Sequence, residues 1–330
     1  MKRRIVITLT ILIILGLNTV IHVEAQTKNP IIVDKNGTGD YETISEAINM
    51  ASNGATIYIK TGEYKEILNI KKQITLIGED KQNTIIKPTS EKNMYAIRIA
   101  TPGITIKNLA ITNKAPGLYT TGIRISSIET TIENCDIYNT PIGILTWTSD
   151  NTIKNCNFWG CKDEGIALLG SRYSECNNNQ ITNCIFYQNC DGIELQYSSN
   201  NLITNCEFYE NTHTGIDAIA SSNNENTISN CRIHNNRVHG IYLSSSSFNQ
   251  ITNCDISDNT DGNIIMNKDS IDNQISLNPT SEQTNQDTHE INHNSLRKNL
   301  ASKILNIITN LKNLKEYFKT STNNGYIEGL

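Results

Sequence analysis

The chain is short of what usually fills a globular core: two tryptophans, five phenylalanines and four methionines in 330 residues, with 6% aromatic and 18% charged residues. Each shortage excludes something. With a formal net charge of −5 and no basic stripe, the chain lacks the footprint of a nucleic-acid partner. Its middle has neither the helical period of an ankyrin or tetratricopeptide array nor the leucine run of a leucine-rich repeat. The apolar run from Ile5 to Leu17 is too short for a comfortable membrane span. What the chain has in abundance is Asn, Ser and Thr, which suits outer faces built as amide and hydroxyl ladders rather than charged helices.

One phrase recurs between Asn134 and Met266. Asn-Cys occurs at Asn134, Asn155, Asn183, Asn205, Asn230 and Asn253, and the cysteines are spaced by 21, 28, 22, 25 and 23 residues. A Gly-Ile pair alternates with it at Gly122, Gly143, Gly165, Gly192, Gly215 and Gly240, with the variant Gly262-Asn263-Ile264. A period near two dozen residues marks a solenoid. Within one repeat, residues 151–158 and 165–168 alternate apolar and polar, which predicts short half-buried strands and leaves no room for a helix. Successive turns then stack as parallel strands roughly 4.8 Å apart. Parallel crossovers favour a right-handed winding. The expected fold is therefore all-β, a right-handed parallel β-helix solenoid of about nine or ten coils and roughly 45 Å in length. Asn before Cys marks the corner, because Asn tolerates left-handed backbone angles. Its amide is expected to bond the Asn above and below, while Cys and the Phe or Ile two residues later point inward.

This pattern, from about Ile31 to Leu277, resembles the right-handed parallel β-helix of the pectin-lyase-like superfamily, and its phrasing resembles NosD-type repeats. The first resemblance implies a superfamily of lyases, hydrolases, esterases, epimerases, adhesins and inert scaffolds; the second implies an exported protein associated with carbohydrate or with copper-enzyme maturation. The entry segment, Gly39-Asp40-Tyr41 with Thr43-Ile44 and Gly62-Glu63-Tyr64-Lys65-Glu66, also resembles pectin methylesterases. The catalytic strands and arginine of those enzymes do not follow, so this segment reads as a cap rather than an esterase site. The aspartate pair and Arg-x-Lys strand of polygalacturonases, the Asp-Pro-His of alginate-type epimerases and the calcium nonapeptide are also missing.

The ends read differently from the body. Residues 1–25 form a signal peptide, with Lys2-Arg3-Arg4 before the apolar run and Val23-Glu24-Ala25 as cleavage site. The protein is thus expected to be secreted or at the cell surface, with an uncleaved N-terminal membrane anchor as the alternative. Residues 26–55 form an N-terminal cap, whose helix opens on the capping box Thr43 to Glu46, and 56–277 the β-helix. Residues 278–297 form a polar linker, 298–319 an amphipathic helix and 320–330 a tail. In the helix Leu300, Ile304, Ile307, Ile308, Leu311, Leu314 and Phe318 share one face. It covers the last coil, lies on a membrane surface, or pairs with another chain. Six of the nine cysteines belong to the repeat and read as small buried hydrophobes. Cys161, Cys176 and Cys190 are the disulfide candidates.

Candidate chemistry lies on the strand after each Gly-Ile. There the isoleucine points in and the next residue out, giving the column Arg124, Leu145, Ala167, Glu194, Asp217 and Tyr242. Glu194 and Asp217, one turn apart, are the expected catalytic pair: like charges roughly 5 Å apart raise one pKa, as acid–base work requires. They can also hold Ca²⁺ through oxygen ligands. The residue before each glycine adds Glu164, Asp191, His239 and Asp261, and the next outward position adds Trp147 and Gln196. Of these, Trp147, Asp191, Gln196, His239 and Tyr242 are the expected substrate-binding residues. The plainer reading is a solvated polar ladder with no chemistry. Copper has soft ligands in the cysteine column, but that column should be buried, and His213, His234 and His239 share no short spacing. The favoured reading is a lateral face that binds and processes an extracellular polysaccharide. Its rivals are a non-catalytic structural or adhesive scaffold and a NosD-like accessory protein.

Overall fold

The computed structural model describes residues 29–278, except 90–93, 118, 175 and 220–222. The expected signal peptide, C-terminal helix and tail lie outside the described residues.

The chain winds into a parallel β-solenoid of about ten turns, with three sheets running its length, one of eleven strands and two of nine. One turn shows the plan. Thr152–Lys154 lies in the first sheet, Asn157–Trp159 in the second and Glu164–Leu169 in the third; the chain then re-enters the first sheet at Gln180–Thr182. Every pairing is between equivalent strands of neighbouring turns, and all are parallel.

Repetition in sequence becomes columns in space. Ile153, Ile181, Ile203 and Ile228 are register partners in the first sheet and at most 1% exposed. In the second sheet Phe158, Phe186 and Phe208 stack face to face, with centroids 4.8 and 4.7 Å apart and planes within 5°. All three are fully buried, each contributing roughly 1.5–3 kcal/mol by burial. The recurring glycine follows from this packing. A Cβ on Gly192 would lie 2.5 Å from the Gly215 carbonyl oxygen and 2.6 Å from the Phe208 ring, so no side chain fits between turns.

The corner residues Asn134, Asn155, Asn183, Asn205, Asn230 and Asn253 all take left-handed backbone angles, with φ between 50° and 56°. The corner column carries one amide hydrogen bond between turns, from Asn134 to Asn108 Oδ1 at 2.8 Å, but the continuous amide ladder runs elsewhere. From Asn155 to Asn253 these corner residues are exposed. The ladder belongs to Asn151, Asn179, Asn201, Asn226 and Asn249, each at most 1% exposed, where the chain enters the first sheet. From Asn179 onward each Oδ1 accepts both the backbone N–H and the side-chain amide of its counterpart one turn earlier, at 2.8–3.1 Å. A second ladder, Asn189, Asn211, Asn236 and Asn259, follows the second sheet. Both are placed where strands stop and buried backbone groups would otherwise lack partners.

The disulfide expectation is corrected: no disulfide joins any two of the nine cysteines. Thiols in the column donate to carbonyls, as Cys156 does to Lys154 at 3.2 Å. Cys176 is buried and donates to the Thr148 carbonyl. Burial pushes the Cys161 and Cys176 thiols up to about 12, so both are protonated at neutral pH.

At the first turn a helix, Ile44–Met50, buries Ile44, Ala47 and Ile48. Thr43 caps it and shares a reciprocal bond with Glu46. Glu66 accepts from the backbone N–H groups of Ile44 at 2.9 Å and Ser45 at 2.8 Å, placing a carboxylate on the helix N-terminus. The Glu66 end of the entry segment thus ties the helix to the first coils.

Candidate functional site on the third sheet

The third sheet carries the outward column in the order its sequence implies. Arg124, Leu145, Ala167, Glu194, Asp217 and Tyr242 are successive register partners. The solvated polar ladder is corrected: Leu145, Ala167, Glu194 and Asp217 are only 1, 0, 8 and 2% exposed. These carboxylates are recessed, and an ordinary surface ladder is not. Glu164 and Asp191, also register partners, are 5% and 1% exposed. Asp261 falls out of this row, since His239 pairs with Gly262, and it stands exposed.

Around this floor the side chains are partly open. Trp147 is 39% exposed, and Gln196, His239 and Tyr242 are half-buried. Arg124 sits 5.5 Å from the Trp147 ring and 5.7 Å from that of Tyr95, so its guanidinium is held between two aromatics. His239 stacks on Tyr242 at 5.5 Å.

Burial decides the electrostatics. Desolvation, with the Glu194 carboxylate next and Asp163 after it, pushes the Glu164 carboxyl well above the usual range. Burial therefore favours its protonated form. Burial, reinforced by His213, lowers the His239 pKa and keeps the ring neutral. Burial also raises the Tyr242 phenol.

His213, which the sequence offered only as one of three histidines without a common spacing, is brought into this face. Its Nδ1 lies 2.7 Å from Asp191 Oδ1 and 3.9 Å from Asp217 Oδ2, so it joins two carboxylates that the sequence had separated. The backbone N–H of Thr214 donates to the same Asp191 oxygen at 2.8 Å, fixing that carboxylate. The available signal was the spacing of Asp191 and His213 by 22 residues, one repeat. The repeat glycine supplied the reference column, and His213 stands two residues before Gly215, one step outside it. His234 lies instead on the second sheet, stacked on Tyr209 and bonded to Glu207.

A recessed acidic face on a parallel β-solenoid fixes a fold rather than one activity. The sequence matches the family described as the right handed beta helix region, over residues 74–189 and 121–279, together more than half of the chain. The chain belongs to that family. Among curated relatives, a putative pectinesterase/pectinesterase inhibitor 22 of Arabidopsis thaliana is 27% identical over 160 residues, covering 42% of this chain and 29% of that protein. Probable pectinesterase 56 of the same plant is 27% identical over 165 residues, covering 45% and 57%. The chain thus spans less than two thirds of the length of these relatives. Among solved structures, the enzymatically active domain of bacteriophage CBA120 tailspike protein 2 aligns with a TM-score of 0.54 at 14% identity, covering 72% of this chain and 40% of that one. The Azotobacter vinelandii mannuronan C-5 epimerase AlgE6 A-module aligns at 0.50 and 17%, covering 68% and 74%. At such identities the likeness is one of fold. No helix among the described residues is long and apolar enough to cross a membrane.

Proposed function

We propose that this protein binds an extracellular polysaccharide along the outer face of the third sheet and processes it there. The observation that carries the reading is the recess itself: Glu164, Asp191, Glu194 and Asp217 are each at most 8% exposed on one face of the sheet. Carboxylates are almost never buried so fully unless they are paired or used. Trp147 and Tyr242 offer apolar ring surface to a sugar at the edge of that face. Arg124, between its two aromatics, suits the carboxylate of an acidic sugar. The pectinesterase names of the relatives point to carbohydrate as well, although the strands expected of an esterase are missing from this sequence.

The chemistry follows from the protonation states. Burial and the Glu194 carboxylate beside it favour the protonated form of Glu164, while Glu194 and Asp217 are the acid–base pair at the reacting atoms. His213, oriented by Asp191, stands 3.9 Å from Asp217. Glu194 and Asp217 remain the pair whose loss should be felt most. The test is product analysis on acidic and neutral polysaccharides. Glu194→Gln and Asp217→Asn should each lower turnover by about 10²–10⁴-fold, the usual size of a general acid–base contribution. Full turnover in both variants would refute the assignment. A scaffold role is the second reading, favoured by the continuous asparagine ladders, and it expects no turnover from any variant.

A further inference from the structure

We propose that Asp191, His213 and Asp217 form a site for one divalent transition-metal ion with zinc-like preference. The site deepens the reading above only in its substrate; ion binding stands on its own. One ligand atom from each residue lies within 4.8 Å of the other two, the spread of donors around a single ion. The two carboxylates are held by different turns, at 1% and 2% exposure, while the His213 side chain is 36% exposed and gives the site an open side. Three protein ligands with an open position is the arrangement of catalytic rather than structural zinc.

A second observation points to a ligand. Buried side-chain atoms normally have hydrogen-bond partners, and those that do not call for an explanation, an ion among them. Asp191 Oδ2, Thr214 Oγ1 and His239 Nδ1 are buried and have none among the described residues. They come from three successive turns and bracket His213. Asp191 is 1% exposed, and its other oxygen already accepts from His213 and from the Thr214 N–H. Its Oδ2 has no hydrogen-bond partner among the described residues, and a cation would satisfy it.

The donor set selects the ion. Calcium takes six to eight oxygens in flexible geometry and has no use for an imidazole. One imidazole with two carboxylates suits zinc, with manganese next. This differs from the calcium site expected between Glu194 and Asp217, because His213 replaces Glu194. Sited beside Glu164 and Glu194, the ion would face the same sugar.

The test uses the full chain, stripped with chelator and titrated calorimetrically with Zn²⁺, Mn²⁺ or Ca²⁺ in the absence of polysaccharide. The expected result is one Zn²⁺ per chain, with affinity falling at least tenfold in His213→Gln and in Asp217→Asn while circular dichroism is unchanged. Cys206→Ser should leave it within twofold. Co²⁺ bound to the unaltered protein should show no thiolate charge-transfer band, which keeps the test informative should a variant misfold. No bound ion, binding indifferent to both variants, thiolate absorption, or preference for Ca²⁺ over Zn²⁺ would each overturn the proposal. Polysaccharide binding measured in chelator separates its failure from that of the reading above.

Discussion

Asn201 and Asn205 stand four residues apart and look alike in sequence, yet the structure gives them opposite weights. Asn201 is 1% exposed and its Oδ1 accepts the Asn179 backbone N–H at 2.8 Å and the Asn179 amide at 3.1 Å. Its own amide donates to Asn226 Oδ1, Ser198 Oγ and the Cys176 carbonyl. Asn201→Ala leaves two buried donors of Asn179 without acceptors, and each such group costs about 1–3 kcal/mol. The substitution should therefore destabilise by roughly 2–6 kcal/mol, a large part of the 5–15 kcal/mol typical of a domain. Asn205 is exposed, with φ at 55°. Glycine tolerates that angle, so Asn205→Gly should change stability by less than about 0.5 kcal/mol, whereas Asn205→Ala should cost about 1 kcal/mol. Guanidinium unfolding followed by circular dichroism measures all three. A loss below about 1 kcal/mol in Asn201→Ala, or an equal loss in Asn205→Gly, would show that the buried ladder does not hold the turns together.

Other predictions concern the core, the cap and the acidic face. Phe186→Ala removes the middle ring of the buried stack and should cost about 3–5 kcal/mol, plus up to about 1 kcal/mol for each lost ring pair, read from the same unfolding curves. Glu66→Ala strands the N–H groups of Ile44 and Ser45 and should lower stability by about 1–3 kcal/mol, with hydrogen exchange speeding up at the first coils before the rest. Glu164 has a folded pKa above its unfolded one, so its stabilising contribution is complete below about pH 4.5 and is lost as pH rises toward the folded value. In chelator, Glu164→Gln should melt with the parent near pH 4 and several degrees above it at pH 7 to 8; an unchanging difference would contradict the burial argument.

The fold was legible because the solenoid writes its geometry as a period. Cysteine and glycine recur once per turn, and the register partners Glu194 and Asp217 could be paired by counting. Which asparagine forms the ladder could not be read the same way. Asn201 and Asn205 bracket one strand, both recur in the period, and only the direction of the chain at the strand ends decides which is inside. Burial of the outward column was hidden for a related reason. Alternation tells which residues face away from the core, but not what lies over them, and that depends on turns whose lengths vary from coil to coil. His213 stands one residue outside the column that the glycines index, so its approach to Asp191 appears only once the turns are stacked.

The central claim is that the recessed face of the third sheet is where this protein meets a polysaccharide. It is tested most directly by binding of the chain from Gln26 onward to a panel of acidic and neutral polysaccharides, with and without Ca²⁺, for the parent and for Glu194→Gln/Asp217→Asn. The account predicts binding to an acidic polysaccharide that the double variant weakens at least tenfold while its unfolding curve stays that of a folded protein. Binding to none of the panel, or binding that the double variant leaves intact, would contradict it.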